Sequence, residues 1–320
     1  MPLIPKSAYP GPPWYQYNGH WQTILPTTIR RVRGLQYERE RLELADGDFL
    51  DLDWVNNQSQ DLLILTHGLE GNSDRIYMKG MAKFFADQHW DVLAWNCRSC
   101  SEEMNRAFRL YYHGEIEDIA TVIDHALNTR NYQRIVLVGF SMGGNITLKY
   151  LGVNGSNIPK QITHGLAFST PCDLAESIKE LEKPNNKFYN RLFFKRLEAK
   201  IRAKAAQFPD RLDLSKFAEI KVWRDFDTYF SAPLTGLSSA DEFYFEASSR
   251  NFMAGTTIPT LIVNAQNDPL LNDSSSPKDI SENHPYLYLE TPKKGGHVGF
   301  GMGNRSHVWA ELRAWEFCHQ

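Results

Sequence analysis

The chain has 320 residues, 42% of them apolar, and a formal net charge of -3 at pH 7. This length and apolar share suit one large domain with an insertion or two small domains, and the charge gives no attraction for nucleic acid or anionic membranes. Four cysteines are too few for a disulfide scaffold, and no apolar run suits a signal peptide or a transmembrane helix, so a cytoplasmic protein without an integral membrane segment is expected.

The N-terminal residues 1–34 are rich in proline and aromatic side chains, which predicts an extended arm packed on the protein core. Trp21 and Ile24 are the expected anchors of this arm. Apolar and polar residues then alternate on both sides of an Asp-Gly turn. That alternation predicts a β-hairpin over residues 36–56 with one face toward solvent.

From residue 61 onward, short apolar runs alternate with helical periodicity. This alternation predicts an α/β fold with a mostly parallel central sheet and helices on both faces. The expected strands lie at 62–66, 91–95, 135–138, 166–168, 260–264 and 286–289. The expected helices lie at 74–88 with Ser73 as N-cap, at 115–128, directly after residue 143, and at 306–317 with Val308, Leu312 and Trp315 on the packed face.

Residues 171–257 interrupt this alternation, because they are helical and strongly charged and contain no convincing strand. They predict a helical cap inserted into a core formed by residues 35–170 and 258–320. The cap includes a basic amphipathic helix at 186–207, whose charges are best interpreted as a solvated face, with weak contact to an acidic membrane surface as the alternative. Its apolar candidates to face a substrate are Phe188, Leu192, Phe193 and Leu197.

The stretch from Gly139 to Gly143 reads Gly-x-Ser-x-Gly and stands between a β-branched run and a helix start. A strand, a tight turn with a serine and a helix make a nucleophile elbow, which presents the serine hydroxyl at the strand end. A side chain at either glycine would press on neighbouring backbone, and the helix N-terminus favours negative charge at the serine. Ser141 is therefore the predicted nucleophile.

A serine hydroxyl needs a base to take its proton, and this base is usually a histidine oriented by a carboxylate. Among ten histidines, His297 is favoured because it lies past the last predicted strand in a glycine-rich loop. Asp268 is the favoured acid because it follows the strand before, and Asp273 in the same loop is the alternative. The competing histidines toward the C-terminus are interpreted as surface residues: His284, His307 and His319.

Acyl transfer also needs two donors aimed at the developing oxyanion. The backbone N–H of Met142, directly after the nucleophile, is one of them. Leu69 N–H, in the loop after the first parallel strand, is the candidate for the second, and His67 is expected to orient that loop. A redox or zinc interpretation of Cys97-x-x-Cys100 is disfavoured for want of a second ligand pair, and no cofactor or metal is expected.

Five motifs occur in the order found in the α/β-hydrolase superfamily, and they most closely resemble its YheT-like branch: Gly19-His20-Trp21-Gln22-Thr23-Ile24, His67-Gly68-Leu69-Glu70-Gly71, Gly139-Phe140-Ser141-Met142-Gly143-Gly144-Asn145, Asn267-Asp268-Pro269 and Gly295-Gly296-His297-Val298-Gly299-Phe300. That branch contains bacterial hydrolases, yeast ethanol acyltransferases with esterase activity and animal ABHD-type lipid hydrolases. Two loops depart from its pattern, around Cys100 and around His113. The resemblance implies ester or lipid hydrolysis, with acyl transfer to an alcohol as a variation.

Taken together, these residues predict a serine carboxylic-ester hydrolase that forms an acyl-enzyme on short- to medium-chain acyl esters or lipids. The expected partner is a small-molecule ester or acyl lipid, and nucleic acid is not expected. An acyltransferase that uses the same acyl-enzyme is the alternative enzyme. A ligand-binding protein that kept the fold and lost turnover is the alternative outside enzymes, and the intact serine, acid and histidine disfavour it.

Overall fold

The computed structural model describes residues 3–303 and 306–320 of the chain. Within these ranges one sheet contains nine strands: β1 Leu3–Ile4, β2 Glu38–Glu43, β3 Phe49–Val55, β4 Asp61–Thr66, β5 Asp91–Asn96, β6 Arg134–Phe140, β7 Ile162–Phe168, β8 Thr260–Val263 and β9 Leu287–Glu290. The spatial order is β1-β9-β8-β7-β6-β4-β5-β3-β2. Pairing is parallel from β1 to β5 and antiparallel where β3 joins β5 and β2, so the predicted α/β fold is confirmed.

The helices of the same ranges alternate with the strands from β4 onward, as the sequence pattern predicts. They are α1 Gly19–Ile29, α2 Ile76–Ala86, α3 Glu117–Thr129, α4 Met142–Asn154, α5 Leu174–Leu181, α6 Lys187–Gln207, α7 Trp223–Phe226, α8 Ala232–Thr235, α9 Ala240–Ala247, α10 Lys278–Ser281 and α11 Trp309–Cys318. None of them is long and apolar enough to cross a bilayer.

The two faces of the sheet carry separate apolar layers, because successive side chains of a strand point to opposite sides. In β4, Leu63 and Leu65 belong to the layer shared with α2 and α11. The alternate residues Leu62 and Ile64 belong to the layer shared with α3 and α4. This double burial explains why β4 is a continuous apolar run, whereas the antiparallel edge strand β2 alternates exposed and half-buried residues.

The chain between β7 and β8 leaves the sheet and forms helices α5 to α9. Its apolar side chains form two clusters of their own, one centred on Phe226 and Phe230 and the other on Phe243. A π-helical turn, Asp227–Ser231, joins α7 to α8. The segment leaves the sheet after β7 and returns to it at the neighbouring strand β8.

The N-terminal segment differs from the predicted extended arm in two ways. Leu3 and Ile4 form β1, which pairs with β9 at the edge of the sheet. The expected anchor region is the helix α1, in which Trp21 is 40% exposed while Gln22 is fully buried. The prediction of Trp21 as an anchor was wrong because the buried face of α1 carries polar side chains, and hydrophobic periodicity gives no weight to such residues.

Two predicted helix details also require correction. The helix α2 begins after Arg75, and Ser73, the expected N-cap, instead donates its hydroxyl hydrogen bond to Asp53. The last helix begins at Trp309, so His307 lies before it rather than at its start. Its buried face contains Trp309, Ala310, Arg313, Ala314 and Phe317, whereas Leu312 from the predicted face is 39% exposed.

Candidate active site

The turn between β6 and α4 places Ser141 at the carboxyl end of the sheet. Its backbone has a φ of +54°, a conformation that costs a residue with a Cβ atom roughly 1–3 kcal/mol. Gly139 and Gly143 permit the tight approach, because a Cβ on either would lie 2.2 Å from a backbone oxygen, that of Gly143 or of Thr66 respectively. The Ser141 N–H donates to the Phe168 carbonyl at 2.8 Å, which holds the strained turn against β7.

The imidazole of His297, in the loop after β9, lies between a hydroxyl and a carboxylate. Its Nε2 is 3.0 Å from Ser141 Oγ, and its Nδ1 is 2.8 Å from Asp268 Oδ2. Asp268 follows β8 and is 5% exposed, and its second oxygen accepts the Leu270 N–H at 2.9 Å. A carboxylate at Nδ1 favours the tautomer in which Nε2 can accept the serine proton. The structure thus brings the three predicted residues together.

The alternatives weighed from the sequence lie in other contacts. Asp273 is exposed and begins the short turn Asp273–Ser275. The three competing histidines contact groups outside the site: His284 the Ala254 carbonyl, His307 the Glu311 carboxylate, and His319 the Trp315 carbonyl. The geometry therefore favours Asp268 and His297 over these candidates.

Helix α1 holds the acid and base loops together through two polar side chains that the sequence analysis missed. Gln22 Oε1 accepts hydrogen bonds from Asn267 Nδ2 and from the Gly295 N–H, both at 2.9 Å. Thr23 Oγ1 accepts the His297 N–H at 2.9 Å. Asn267 directly precedes the acid, so α1 fixes the spacing between acid and base. The sequence signal that could have indicated this role is the polar pair Gln22-Thr23 in the first of the five motifs. Hydrophobic periodicity assigns no role to polar residues, so the pair was not singled out.

His67 fixes the loop that carries the predicted second oxyanion donor. The Cys97 N–H donates to His67 Nε2 at 3.0 Å, so Nδ1 carries the proton and donates to the Gly68 carbonyl at 2.8 Å. The Gly71 N–H donates to the same carbonyl at 2.9 Å. Because this carbonyl and the Leu69 N–H share one peptide plane, the two hydrogen bonds set the direction of the Leu69 N–H.

The two predicted oxyanion donors are backbone N–H groups shortly after the ends of β4 and β6. Within residues 3–303 and 306–320, neither Leu69 N–H nor Met142 N–H makes a hydrogen bond. The loop lies against the nucleophile, since a Cβ on Gly68 would be 3.1 Å from Ser141 Cβ. The arrangement leaves both donors available to a ligand at Ser141, and their role as the oxyanion hole stays a prediction.

Glu70 connects this loop to the helical insertion. Its carboxylate lies 2.8 Å from Lys200 Nζ of α6, with side-chain exposures of 6% and 14%. The Tyr111 hydroxyl donates to the same carboxylate, and Lys200 Nζ also donates to Cys100 Sγ at 3.3 Å. A largely buried ion pair thus joins the insertion to the residue next to Leu69.

The four cysteines are buried free thiols. Burial raises the pKa of Cys97 and Cys100, and it raises the pKa of Cys172 and Cys318 to about 12. In the part of the chain that the structure describes, no group of three or more His, Cys, Asp or Glu side chains is arranged to hold a metal ion. Neither thiol of Cys97-x-x-Cys100 has the lowered pKa of a redox-active cysteine.

An apolar cavity, partly continuous with solvent, lies beside Ser141. Leu69, Ser141 and His297 line it from the core. The insertion provides most of the apolar wall: Leu174, Ile178, Leu181, Phe193, Leu197, Ile201, Trp223, Phe226, Leu234 and Phe243. Two of the expected cavity residues, Phe188 and Leu192, do not line the cavity, and Phe188 is 65% exposed.

Comparison with known proteins adds independent findings. A family model described as alpha/beta hydrolase fold matches residues 61–302. The chain is 31% identical to the Escherichia coli protein YheT, whose name describes it as an esterase, over 92% of this chain and 88% of that protein. It is 26% identical to mouse ABHD3, named a phospholipase, over 94% of this chain and 75% of that protein. The Pyrococcus furiosus esterase Pf2001 superposes with a TM-score of 0.60 at 17% identity, covering 89% of this chain and 91% of that one, which supports the fold.

We expect replacement of His67 to flatten the acid side of the stability profile. Burial lowers the pKa of His67 from 6.5 to about 4. Between pH 6.5 and pH 4 the imidazole is therefore protonated in the unfolded chain and neutral in the folded chain. The contribution of His67 to the free energy of unfolding is therefore greatest above pH 6.5 and decreases by about 3 kcal/mol as the pH falls to 4. When stability is measured by thermal unfolding, the His67→Asn protein should lose less stability between pH 6.5 and pH 4 than the original protein.

The control for this experiment is His89→Asn at an exposed turn, which should keep the original pH profile. An unchanged profile for His67→Asn would show that the imidazole is not buried in its neutral form.

We expect Gln22→Ala to slow turnover by about tenfold to a hundredfold, because the acid and base loops lose their shared acceptor and misplaced catalytic groups cost rates of this order. Ester hydrolysis and melting temperature should be measured together. Thr28→Ala on the same helix is the matched control, since its hydroxyl donates to the Ile24 and Leu25 carbonyls of α1 itself. A folded Gln22→Ala protein with undiminished turnover would contradict the positioning role.

Proposed function

The chain belongs to the α/β-hydrolase fold family, and on that premise we propose that it is a serine hydrolase that cleaves carboxylic esters through an acyl-enzyme. The observation that carries this proposal is the imidazole of His297, within hydrogen-bond distance of both Ser141 Oγ and Asp268 Oδ2. Serine, acid and histidine occur in the chain order of this fold, each in a turn or loop after a strand. No cofactor has a part in the mechanism.

In the proposed reaction, Ser141 Oγ attacks the acyl carbonyl carbon while its proton moves to His297 Nε2. Asp268 orients the imidazole and stabilises the imidazolium that forms. The carbonyl oxygen becomes an oxyanion, which accepts hydrogen bonds from Leu69 N–H and Met142 N–H. As the tetrahedral intermediate collapses, His297 gives the proton to the leaving alkoxide oxygen, so an alcohol departs and the acyl group stays on Ser141.

The second half of the reaction repeats this proton transfer with water. His297 Nε2 accepts a proton from the attacking water, and the new tetrahedral intermediate collapses to the free acid. Ser141 Oγ then recovers its proton from the imidazolium. The neutral His67 takes no part in proton transfer and acts on the direction of the Leu69 N–H.

The apolar wall next to Ser141 supports acyl esters or acyl lipids as the substrate class. Relatives named esterase, phospholipase and, in yeast, monoacylglycerol lipase point to the same class. We propose short- to medium-chain acyl groups, and a cap role for residues 171–257 over a core of residues 35–170 and 258–320, with residues 1–34 packed on that core. The cap would then set which acyl chains fit.

We expect Ser141→Ala to remove ester hydrolysis and labelling by a fluorophosphonate, because both require the serine oxygen. Asp268→Asn should lower turnover by about 10⁴, the scale seen when a triad histidine loses its correct tautomer. Asp273→Asn is the matched control and should have little effect. Hydrolysis rates, labelling and melting temperature of the three variants test the assignment, and a larger loss for Asp273→Asn would transfer the acid role to that residue.

We expect water to be the main acyl acceptor, because the cavity beside Ser141 is partly open to solvent and water can therefore reach the acyl-enzyme. The test is product partitioning from an activated octanoate ester with and without ethanol, measured as octanoic acid against ethyl octanoate. Free acid should dominate at millimolar ethanol. If ethyl octanoate dominates there, the protein is an acyltransferase that uses the same acyl-enzyme.

A further inference from the structure

The apolar wall of the cavity contains one buried carboxyl group. Asp227 lines the cavity from the π-helical turn Asp227–Ser231 and is 4% exposed. Its Oδ1 accepts from Ser231 Oγ at 2.6 Å and its Oδ2 from the Tyr244 hydroxyl at 2.8 Å. Each carboxylate oxygen accepts more than one hydrogen bond, so acceptor capacity remains. Burial raises the pKa of Asp227 to about 6.

An unpartnered donor stands one helical turn before this carboxyl group. Trp223 lines the same cavity and is 7% exposed. Within the described residues its indole Nε1–H has no hydrogen-bond partner, although the atom is shielded from water. Residues four apart lie on one face of a helical segment, and the side chains of Trp223 and Asp227 both line this cavity.

A donor and an acceptor in the same apolar wall favour a ligand group that can hydrogen-bond to both. A hydroxyl donates one hydrogen bond and accepts others, so it can satisfy both Trp223 and Asp227. A ketone could accept from Trp223 but would leave Asp227 unused, and an ammonium could pair with Asp227 but not with the indole. A carboxylate would be repelled by Asp227. The surrounding side chains Ile178, Phe226 and Phe243 fit the hydrocarbon on either side of such a group.

We propose that Trp223 and Asp227 form a hydroxyl-binding subsite in the acyl cavity, and that the preferred substrate is an ester whose acyl chain carries a hydroxyl group. This inference rests on the proposed function, because it takes the cavity next to Ser141 as the acyl site. It goes beyond that function by naming a polar substituent on the chain. Sites built around a hydroxyl discriminate strongly against analogues that lack it, since the buried polar groups then stay unpaired.

The test is a panel of p-nitrophenyl esters of octanoic acid, its positional hydroxy isomers, an oxo isomer and an amino isomer, assayed with the full chain. We expect kcat/KM for at least one hydroxy isomer to exceed that for octanoate and for the oxo and amino isomers by tenfold or more. Octanoate equal to or better than every hydroxy isomer would overturn the proposal, and so would a preference for the amino or oxo ester.

Variants then locate the preference. Trp223→Phe keeps the ring and removes the donor, and Asp227→Leu removes the acceptor. Each should lower the ratio of hydroxyoctanoate to octanoate kcat/KM by tenfold or more. Tyr229→Phe is the matched control, because Tyr229 lies in the same π-helical turn but bonds to Glu219 and does not line the cavity. A ratio that Trp223→Phe leaves unchanged contradicts the subsite.

The two levels of proposal fail in different ways. If the proposed function is wrong, no ester of the panel is hydrolysed and Ser141 is not labelled by a fluorophosphonate. If only the subsite is wrong, the octanoate ester is hydrolysed and Ser141 is labelled, but a hydroxyl group on the acyl chain does not raise kcat/KM. The panel with the unaltered chain decides this even if Asp227→Leu fails to fold.

Discussion

A single imidazole joins loops that follow three different strands. His297 comes after β9, Asp268 after β8 and Ser141 after β6, and the two hydrogen bonds of the ring require all three loops to hold their positions at once. Parallel strands make this geometry possible because their carboxyl ends meet at one edge of the sheet. The strands alone do not fix the loops, however, so the position of the ring also depends on contacts made by residues outside the strands.

That support comes from backbone and side-chain hydrogen bonds around the base loop. The His297 N–H donates to Thr23 of α1, and the next N–H, that of Val298, donates to Ser169 Oγ after β7 at 2.8 Å. Ser141 is held in its strained turn by the Phe168 carbonyl of the same strand β7. Backbone strain persists only when its surroundings over-determine it, and here hydrogen bonds to the end of β7 and to Ser169 directly after it restrain Ser141 and the loop of His297 together.

The features that could be predicted from the sequence are those with a local pattern. The apolar runs of the parallel strands, the elbow around Ser141 and the order of Asp268 and His297 are all visible within short stretches of chain. The role of Gln22 is not, because its partners Asn267 and Gly295 lie 245 and 273 residues away and the side chain is polar. The face of α11 was misjudged for a related reason, since the buried Arg313 pairs with Glu290 and does not register as apolar.

The ion pair between Glu70 and Lys200 also has an evolutionary consequence. Both groups are largely buried, and a buried charge that loses its partner destabilises a protein by about 3–5 kcal/mol. Replacement of either residue alone by an uncharged one would therefore destabilise the protein, even though neither residue has a role in the proposed proton transfer. The helical insertion and the loop next to Ser141 are therefore coupled, so a chimaera that takes this insertion from a relative requires exchange of positions 70 and 200 as a unit.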